Sequence, residues 1–122
     1  MVMSNLAMSE VKGEDYRVWY DSSASTINCE GSLRLGGSEE YAPIVQLLEG
    51  AIASPPIDLL LNLTDLEFLN SSGINMLSKF VIKARQKDGV KITVRGSEAI
   101  PWQGKSLKNL QRLMPALVLE IV

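Results

Sequence analysis

The sequence predicts an α/β domain, a four- or five-stranded mixed sheet with helices packed mainly on one face. Three observations lead to this fold class. Segments of strand type alternate along the chain with segments whose apolar residues recur at helical spacing. The run IDLLLNL, residues 57–63, is nearly all apolar, which indicates a central strand buried on both faces. The length of 122 residues suits one domain with a single core.

The first part of the chain predicts a leader followed by a β-hairpin. Residues 1–14 are expected to form a flexible N-terminal leader, so that the domain covers 15–122. DYRVWYD (15–21) alternates and is rich in aromatic and β-branched residues, and TINCE (26–30) is its predicted hairpin partner. The following GSLRLGG is expected to be a loop.

Helical periodicity predicts three helices, near 39–53, 72–87 and 105–113. Ser38 is the predicted N-cap of the first helix, because two glutamates follow it in the first turn. The strand 57–63 precedes the second helix. VKITV follows that helix, and LVLEIV closes the chain as a last strand, which completes the order β-β-α-β-α-β-α-β.

Composition excludes several classes of function. A net charge of −2 argues against a broad basic surface for nucleic acid or anionic lipid. No apolar run approaches the ~20 residues of a membrane span. The first residues lack the basic start and the apolar block that are typical of a signal peptide, so none is expected. Cys29 is the single cysteine, which fits a reducing compartment. We therefore expect a cytoplasmic protein, with Cys29 as a buried structural residue.

The absence of histidine argues against an enzyme. Without it, the chain has no Ser-His-Asp triad, no His-activated cysteine and no imidazole metal site. A serine nucleophile at Ser71 would need a lysine base such as Lys79, which lies eight residues along the helix, roughly 12 Å of axial rise. Direct proton transfer over that distance is implausible. We expect no catalysis, no cofactor and no metal.

The segment NSSG, residues 70–73, is the strongest candidate for a functional site. It precedes a helix after a buried strand, and sites in open α/β sheets gather at that edge. Asn70 or Ser71 is expected to cap the helix. A serine at this position accepts a phosphate without disrupting the fold, because free amides and the helix dipole receive its charge. Gly73 leaves room for another backbone to approach.

The stretch AIPWQGKS, residues 99–106, ends like a phosphate-binding P-loop. Ala99 stands where that motif has its first glycine, and Pro101 and Trp102 stiffen and crowd the loop. No separate magnesium-binding acid follows, so a connecting loop is favoured over a nucleotide site. Trp102, if exposed, is a candidate for a partner-binding surface.

The stretch LLLNLTDLEFLNSSGINML, residues 59–77, resembles the central motif of STAS domains, in particular the bacterial anti-sigma factor antagonists. In that family an apolar strand and a short link lead to Asp-Ser-Ser/Thr-Gly at the start of a helix. The element order over roughly 15–122 is similar to the family's fold. The resemblance implies that Ser71 is the phosphorylation site, with Ser72 as the second candidate and Gly73 matching the glycine.

The resemblance also implies how such a protein works. The unmodified form would bind an anti-sigma factor, often also its serine kinase; phosphorylation would release it, and a metal-dependent serine phosphatase would reset the switch. These partners imply a role in bacterial signal transduction and transcription regulation.

Three positions depart from the family's pattern. Asn70 stands in place of the acid before the first serine, Arg34 takes the place of the acid in the turn that begins at Gly31, and the link Ser97–Ser106 is longer. Because that turn often lies in the partner interface, Ser32 and Arg34 are included among the predicted partner-binding residues. The full set is Asn70, Ser71, Ser72, Gly73, Asn75, Ser32, Arg34 and Trp102.

Two alternatives to the phosphorylation switch stay open. One is an unphosphorylated STAS scaffold that uses the same helix edge for assembly, and the other is a ligand- or nucleotide-sensing regulatory domain. A homodimer also stays open.

Overall fold

The computed structural model describes residues 9–122, and in this range the chain forms a six-stranded mixed sheet covered by three helices. The strands are β1 (Glu10–Lys12), β2 (Tyr16–Asp21), β3 (Thr26–Leu33), β4 (Ile57–Leu69), β5 (Val90–Gly96) and β6 (Val118–Ile121). The helices are α1 (Ser38–Ala51), α2 (Ser71–Arg85) and α3 (Gln103–Leu113). The predicted α/β fold is confirmed, and from β2 onward the elements follow the predicted order.

The strands lie in the sheet in sequence order. β1, β2 and β3 are antiparallel neighbours, and β3, β4, β5 and β6 are parallel. The predicted count of four or five strands was too low because β1 pairs with β2 through Val11 and Val18, within the segment expected to be a leader. Three residues carry too short a pattern to predict a strand. Residues 1–8 of the predicted leader lie outside the described residues.

All three helices cover one face of the sheet, as predicted. α1 packs against α2, and α2 packs against α3, which places them on the same side. The strands alternate accordingly: in β5, Val90, Ile92 and Val94 are buried, whereas the residues between them are not. Among the described residues, none of the helices is both long and apolar enough to span a bilayer.

β4 is central, between β3 and β5, but the expected burial of both its faces was wrong. Leu59 and Leu61 face the helices and are fully buried, whereas Asp58 is exposed and Leu60 only half-buried. The helices cover a single face, so the apolar run reflects a long core strand with one partly open side. β4 also continues to Leu69, six residues beyond the predicted end.

The second half of β4 is held by donors from the start of α3. β5 accompanies β4 only as far as Asn62. Beyond it, the fully buried Gln103 donates from Nε2 to the carbonyl oxygens of Leu63 and Leu66, at 2.7 and 2.9 Å. The indole Nε1 of Trp102 donates to the same Leu66 carbonyl at 3.3 Å. Two side chains thus satisfy backbone acceptors that have lost their neighbouring strand.

The segment before α1 differs from its prediction in two ways. Gly31 to Leu33, expected to lie in a loop, belong to β3, and Gly31 has a φ of 88° in the left-handed region. Ser38 lies inside α1, and the N-cap is Gly37, which offers no side-chain acceptor. The glutamates still occupy the first turn, where they face the positive end of the helix dipole.

Cys29 belongs to the core, as predicted. Its side chain is 6% exposed and points from β3 towards the helices. Burial raises the pKa of its thiol from 9.0 to about 12, so the group is a neutral thiol at pH 7. A buried neutral thiol packs as a small apolar group.

Candidate functional site

Asn70 is the side chain that caps α2. Its backbone is extended, and its Oδ1 accepts a hydrogen bond from the Gly73 amide at 2.9 Å. The Ile74 amide donates to the Asn70 carbonyl at 3.0 Å. Of the two residues predicted as the cap, the structure therefore selects Asn70, and it leaves Ser71 as the first residue of the helix.

Asn70 also ties α2 to two other elements. Its Nδ2 donates to the Leu35 carbonyl at 2.9 Å, and its backbone amide donates to the Leu33 carbonyl at 3.1 Å. The Tyr41 hydroxyl of α1 donates to Asn70 Oδ1 at 2.8 Å. The carboxyl end of β3, the loop before α1, and α1 itself therefore all meet at this one residue.

Tyr41 of α1 is a site residue that was not among those predicted from the sequence. The residue is 1% exposed, and its hydroxyl lies 3.3 Å from the Leu33 carbonyl as well as near Asn70. Burial raises the pKa of this hydroxyl, so it is a neutral donor at pH 7. The available signal was a tyrosine among aliphatic core positions, because a buried hydroxyl needs a partner.

Ser71 is exposed at the surface, and Ser72 is half-buried. The Ser71 side chain has no hydrogen bond to any described residue, and the amides of both serines precede the first intrahelical bond. Because Asn70 supplies the cap, the Ser71 hydroxyl is left available to solvent or to another protein. The prediction that Ser71 is phosphorylated stays untested by this geometry.

Gly73 has an internal role rather than the one expected for it. A Cβ at this position would collide with the Leu69 side chain and lie 2.7 Å from the Tyr41 hydroxyl. The residue is buried. Glycine is therefore required so that α2 can approach β4 and α1 closely, and it leaves no open space for a partner's backbone.

A groove runs between α1 and α2 and begins beside Ser71 and Ser72. We call it the α1–α2 groove; its volume is about 420 Å³. Its lining includes Val45 and Glu49 of α1 and Ser72, Met76, Lys79 and Lys83 of α2. The predicted partner-binding residue Asn75 also lines it and is exposed.

Ser32 and Arg34 lie on the other side of Asn70, at the end of β3. Arg34 is exposed, and its guanidinium lies 4.8 Å from the ring centroid of Phe68, which is 40% exposed. The Ser32 amide donates to the Asp15 carbonyl at 2.8 Å. Because Asn70 bonds to the Leu33 carbonyl, these residues share an edge of the sheet with the start of α2.

The sequence made Trp102 a candidate for a partner-binding surface on the condition that its side chain is exposed. It is half-buried, and its Nε1 donates to the carbonyls of Glu67 at 3.0 Å and Leu66 at 3.3 Å. Its ring packs near Ile74, on the side of α2 away from the α1–α2 groove. Its indole N–H therefore holds β4, while a partner-binding role for the rest of the ring stays a prediction.

The P-loop-like stretch does not form a phosphate-binding loop. Gly104, Lys105 and Ser106 lie in the first turn of α3, and ahead of them the Ile100 and Gln103 amides donate to the Ser97 and Ile100 carbonyls at 3.3 and 3.1 Å. These loop amides are therefore paired within the chain rather than curled around a phosphate. Among residues 9–122, no group of three or more acidic or cysteine side chains is placed to hold a metal ion.

Three solved structures from Pseudomonas aeruginosa have a fold similar to that of this chain. A chain in the crystal structure of the diguanylate cyclase SiaD in complex with its activator SiaC matches with a TM-score of 0.71, at 13% identity over 93% of this chain and 98% of that chain. SiaC alone matches with a TM-score of 0.69, at 16% identity over 93% and 95% of the two chains. Apo-SiaC matches with a TM-score of 0.68, at 14% identity over 93% and 98%.

These likenesses show the α/β fold. No protein-family model matches the chain, and no curated protein matches it by sequence. Membership of the STAS domains therefore stays a prediction based on residues 59–77.

Proposed function

We propose that this chain is a protein-binding regulator, rather than an enzyme, and that phosphorylation of Ser71 switches its contact with a partner protein. The observation that carries the proposal is that Asn70 caps the helix while the neighbouring Ser71 does not. Asn70 supplies the side-chain cap of α2, at 2.9 Å from the Gly73 amide, while the Ser71 hydroxyl is exposed and makes no hydrogen bond with any of residues 9–122. Modifying Ser71 therefore removes no contact that holds the fold.

A phosphate on Ser71 suits the start of α2. It adds about −1.5 to −2 charges at pH 7, and the amides of Ser71 and Ser72 and the positive end of the helix dipole lie there to receive them. The fold thus tolerates the group. A docked partner does not, because like charges brought together in an interface cost several kcal/mol, and each ~1.4 kcal/mol is tenfold in affinity.

Two classes of partner have support. The resemblance of residues 59–77 to anti-sigma factor antagonists favours an anti-sigma factor that is also a serine kinase, with a serine phosphatase that restores binding. The fold shared with SiaC, described as the activator of the diguanylate cyclase SiaD, favours a signalling enzyme as the partner. In both cases this chain acts by binding, and the same serine sets the bound fraction.

The test is to locate the phosphate. The chain is recovered from the cells that naturally produce it, in exponential growth and in stationary phase, and modified residues are mapped by tandem mass spectrometry. We expect phosphate on Ser71. Ser71→Ala should abolish the modification, and Ser72→Ala, one residue away, is the matched control and should leave it largely intact. Phosphate on Ser72 alone, or on neither serine under any growth condition, would sink the proposal.

A second test measures the switch itself. Phosphoserine installed at position 71 should leave the melting temperature within a few degrees of wild type, since the cap on Asn70 is untouched. Partner binding should be weakened most by phosphoserine and less by Ser71→Asp, which carries one charge rather than nearly two. If Ser71→Asp and phosphoserine both bind as tightly as wild type, the switch is assigned to the wrong residue.

A further inference from the structure

We infer that the α1–α2 groove binds an amphipathic helix of the partner protein, and that the face of this helix beside Lys79 is acidic. The inference rests on the proposed function and names the surface through which the regulator acts. It identifies the partner by chemistry: apolar side chains along one stripe, with carboxylates next to that stripe.

The shape of the groove fits a row of side chains. On the α2 side its lining extends from Ser72 to Gln86, just past the end of the helix, which is roughly 21 Å at 1.5 Å per residue. A groove of about 420 Å³ whose lining follows one helix over this length suits successive side chains of a docked helix better than one compact ligand.

The floor of the groove is apolar but already well packed. Met76 and Phe80 are 7% and 3% exposed, while Val45 and Ile82 at the sides are half-buried. Anchors at helical spacing would cover the half-buried pair. Because little apolar surface remains to be covered, hydrophobic burial alone gives weak binding, and the charges along the groove decide which helix is accepted.

Those charges favour an acidic partner. Lys83 and Glu49 face each other across the groove with a 2.8 Å ion pair. Lys79 lies one turn nearer the start of α2, is exposed, and has no ion pair with any described residue. Although the whole chain carries a net charge of −2, the unpaired charge in this groove is therefore positive. A carboxylate beside Lys79 would complete the pattern.

The same arrangement explains how Ser71 would exert control. Ser72 lines the groove, so a phosphate on the adjacent Ser71 adds negative charge at its entrance. An acidic helix is repelled by that charge, whereas a basic helix would be held more tightly. An acidic partner is thus the one that phosphorylation releases.

Site-specific photo-crosslinking in the native cells tests the inference. The crosslinker p-benzoylphenylalanine replaces Asn75 in the groove and, as the matched control, Asn109, which is exposed on α3. We expect an adduct from position 75 and none from position 109. Mapped by mass spectrometry, the attached peptide should lie in a helical segment with apolar residues at helical spacing and acidic residues beside them.

Charge reversal supplies the second arm. Lys79→Glu should lower the yield of the position-75 adduct about tenfold. Lys108→Glu, at an exposed position of α3, should leave that yield unchanged. The inference is overturned if position 75 yields no adduct, if its adduct is a second copy of this chain or a basic segment, or if Lys79→Glu has no effect. The two proposals fail in different ways. Phosphate on Ser71 without an adduct at position 75 would refute only the proposed binding in the groove. An adduct at position 75 without phosphate would refute only the proposed phosphorylation switch.

Discussion

Replacing Asn70 by alanine removes the most connected side chain of the candidate site. Three hydrogen bonds are lost: those with the Gly73 amide at 2.9 Å, the Tyr41 hydroxyl at 2.8 Å and the Leu35 carbonyl at 2.9 Å. At about 1 kcal/mol net for each bond, the free energy of unfolding should fall by about 3 kcal/mol. The Tyr41 hydroxyl keeps the Leu33 carbonyl at 3.3 Å, so the loss should not be much larger.

Urea denaturation followed by circular dichroism measures this loss. With a slope of roughly 1.5 kcal/mol per molar urea, the midpoint should fall by about 2 M. Ser71→Ala is the matched control, because its side chain is exposed and makes no hydrogen bond to a described residue. Its effect should stay within about 0.5 kcal/mol.

Asn70→Asp should give an intermediate loss of about 1 kcal/mol. The carboxylate still accepts from Gly73 and Tyr41, and its charge at the helix N-terminus contributes about 0.3–1 kcal/mol. However, it cannot donate to the Leu35 carbonyl. A loss below about 1 kcal/mol for Asn70→Ala, or equal losses for Asn70→Ala and Ser71→Ala, would refute the assignment of Asn70 as the cap and junction.

Three further outcomes are expected. Gln103→Ala should lower the free energy of unfolding in urea by about 3 kcal/mol, since it removes three hydrogen bonds to backbone groups, although the Leu66 carbonyl keeps a second donor in Trp102. Gln103→Leu, which fills the space, should cost nearly as much if hydrogen bonds rather than volume matter. Gly31→Ala should cost about 2 kcal/mol or more, because φ is 88° and a Cβ would collide with the Asp15 carbonyl; a neutral effect would contradict that backbone conformation. Cys29 should react with a thiol reagent only as fast as the protein unfolds. Stability should fall as the pH rises from 9 towards 12, where the unfolded thiol ionises and the buried one, with a pKa of about 12, does not; the decline should be smaller in Cys29→Ala but should not vanish, because burial also raises the pKa of Tyr41.

The sequence by itself determined the order of the elements from β2 onward, the approximate bounds of the helices, and the place of Ser71 at the start of α2. These follow from local signals. The period of apolar residues sets the helices, and a serine-rich segment ahead of such a period marks a helix start. The burial of Cys29 was likewise predictable, because it stands within an alternating strand segment.

Only the tertiary structure decided which side chain caps α2 and how far β4 extends. Asn70 and Ser71 are equally good caps by residue type, and the choice depends on Leu35 and Tyr41, which lie 35 and 29 residues away. The extension of β4 to Leu69 likewise depends on its pairing with β3, where Leu33 lies opposite Leu69, and on Gln103, 37 residues from the Leu66 carbonyl. Partners so distant leave no local pattern in the chain, because the backbone groups that need them become unpaired only once the sheet has formed.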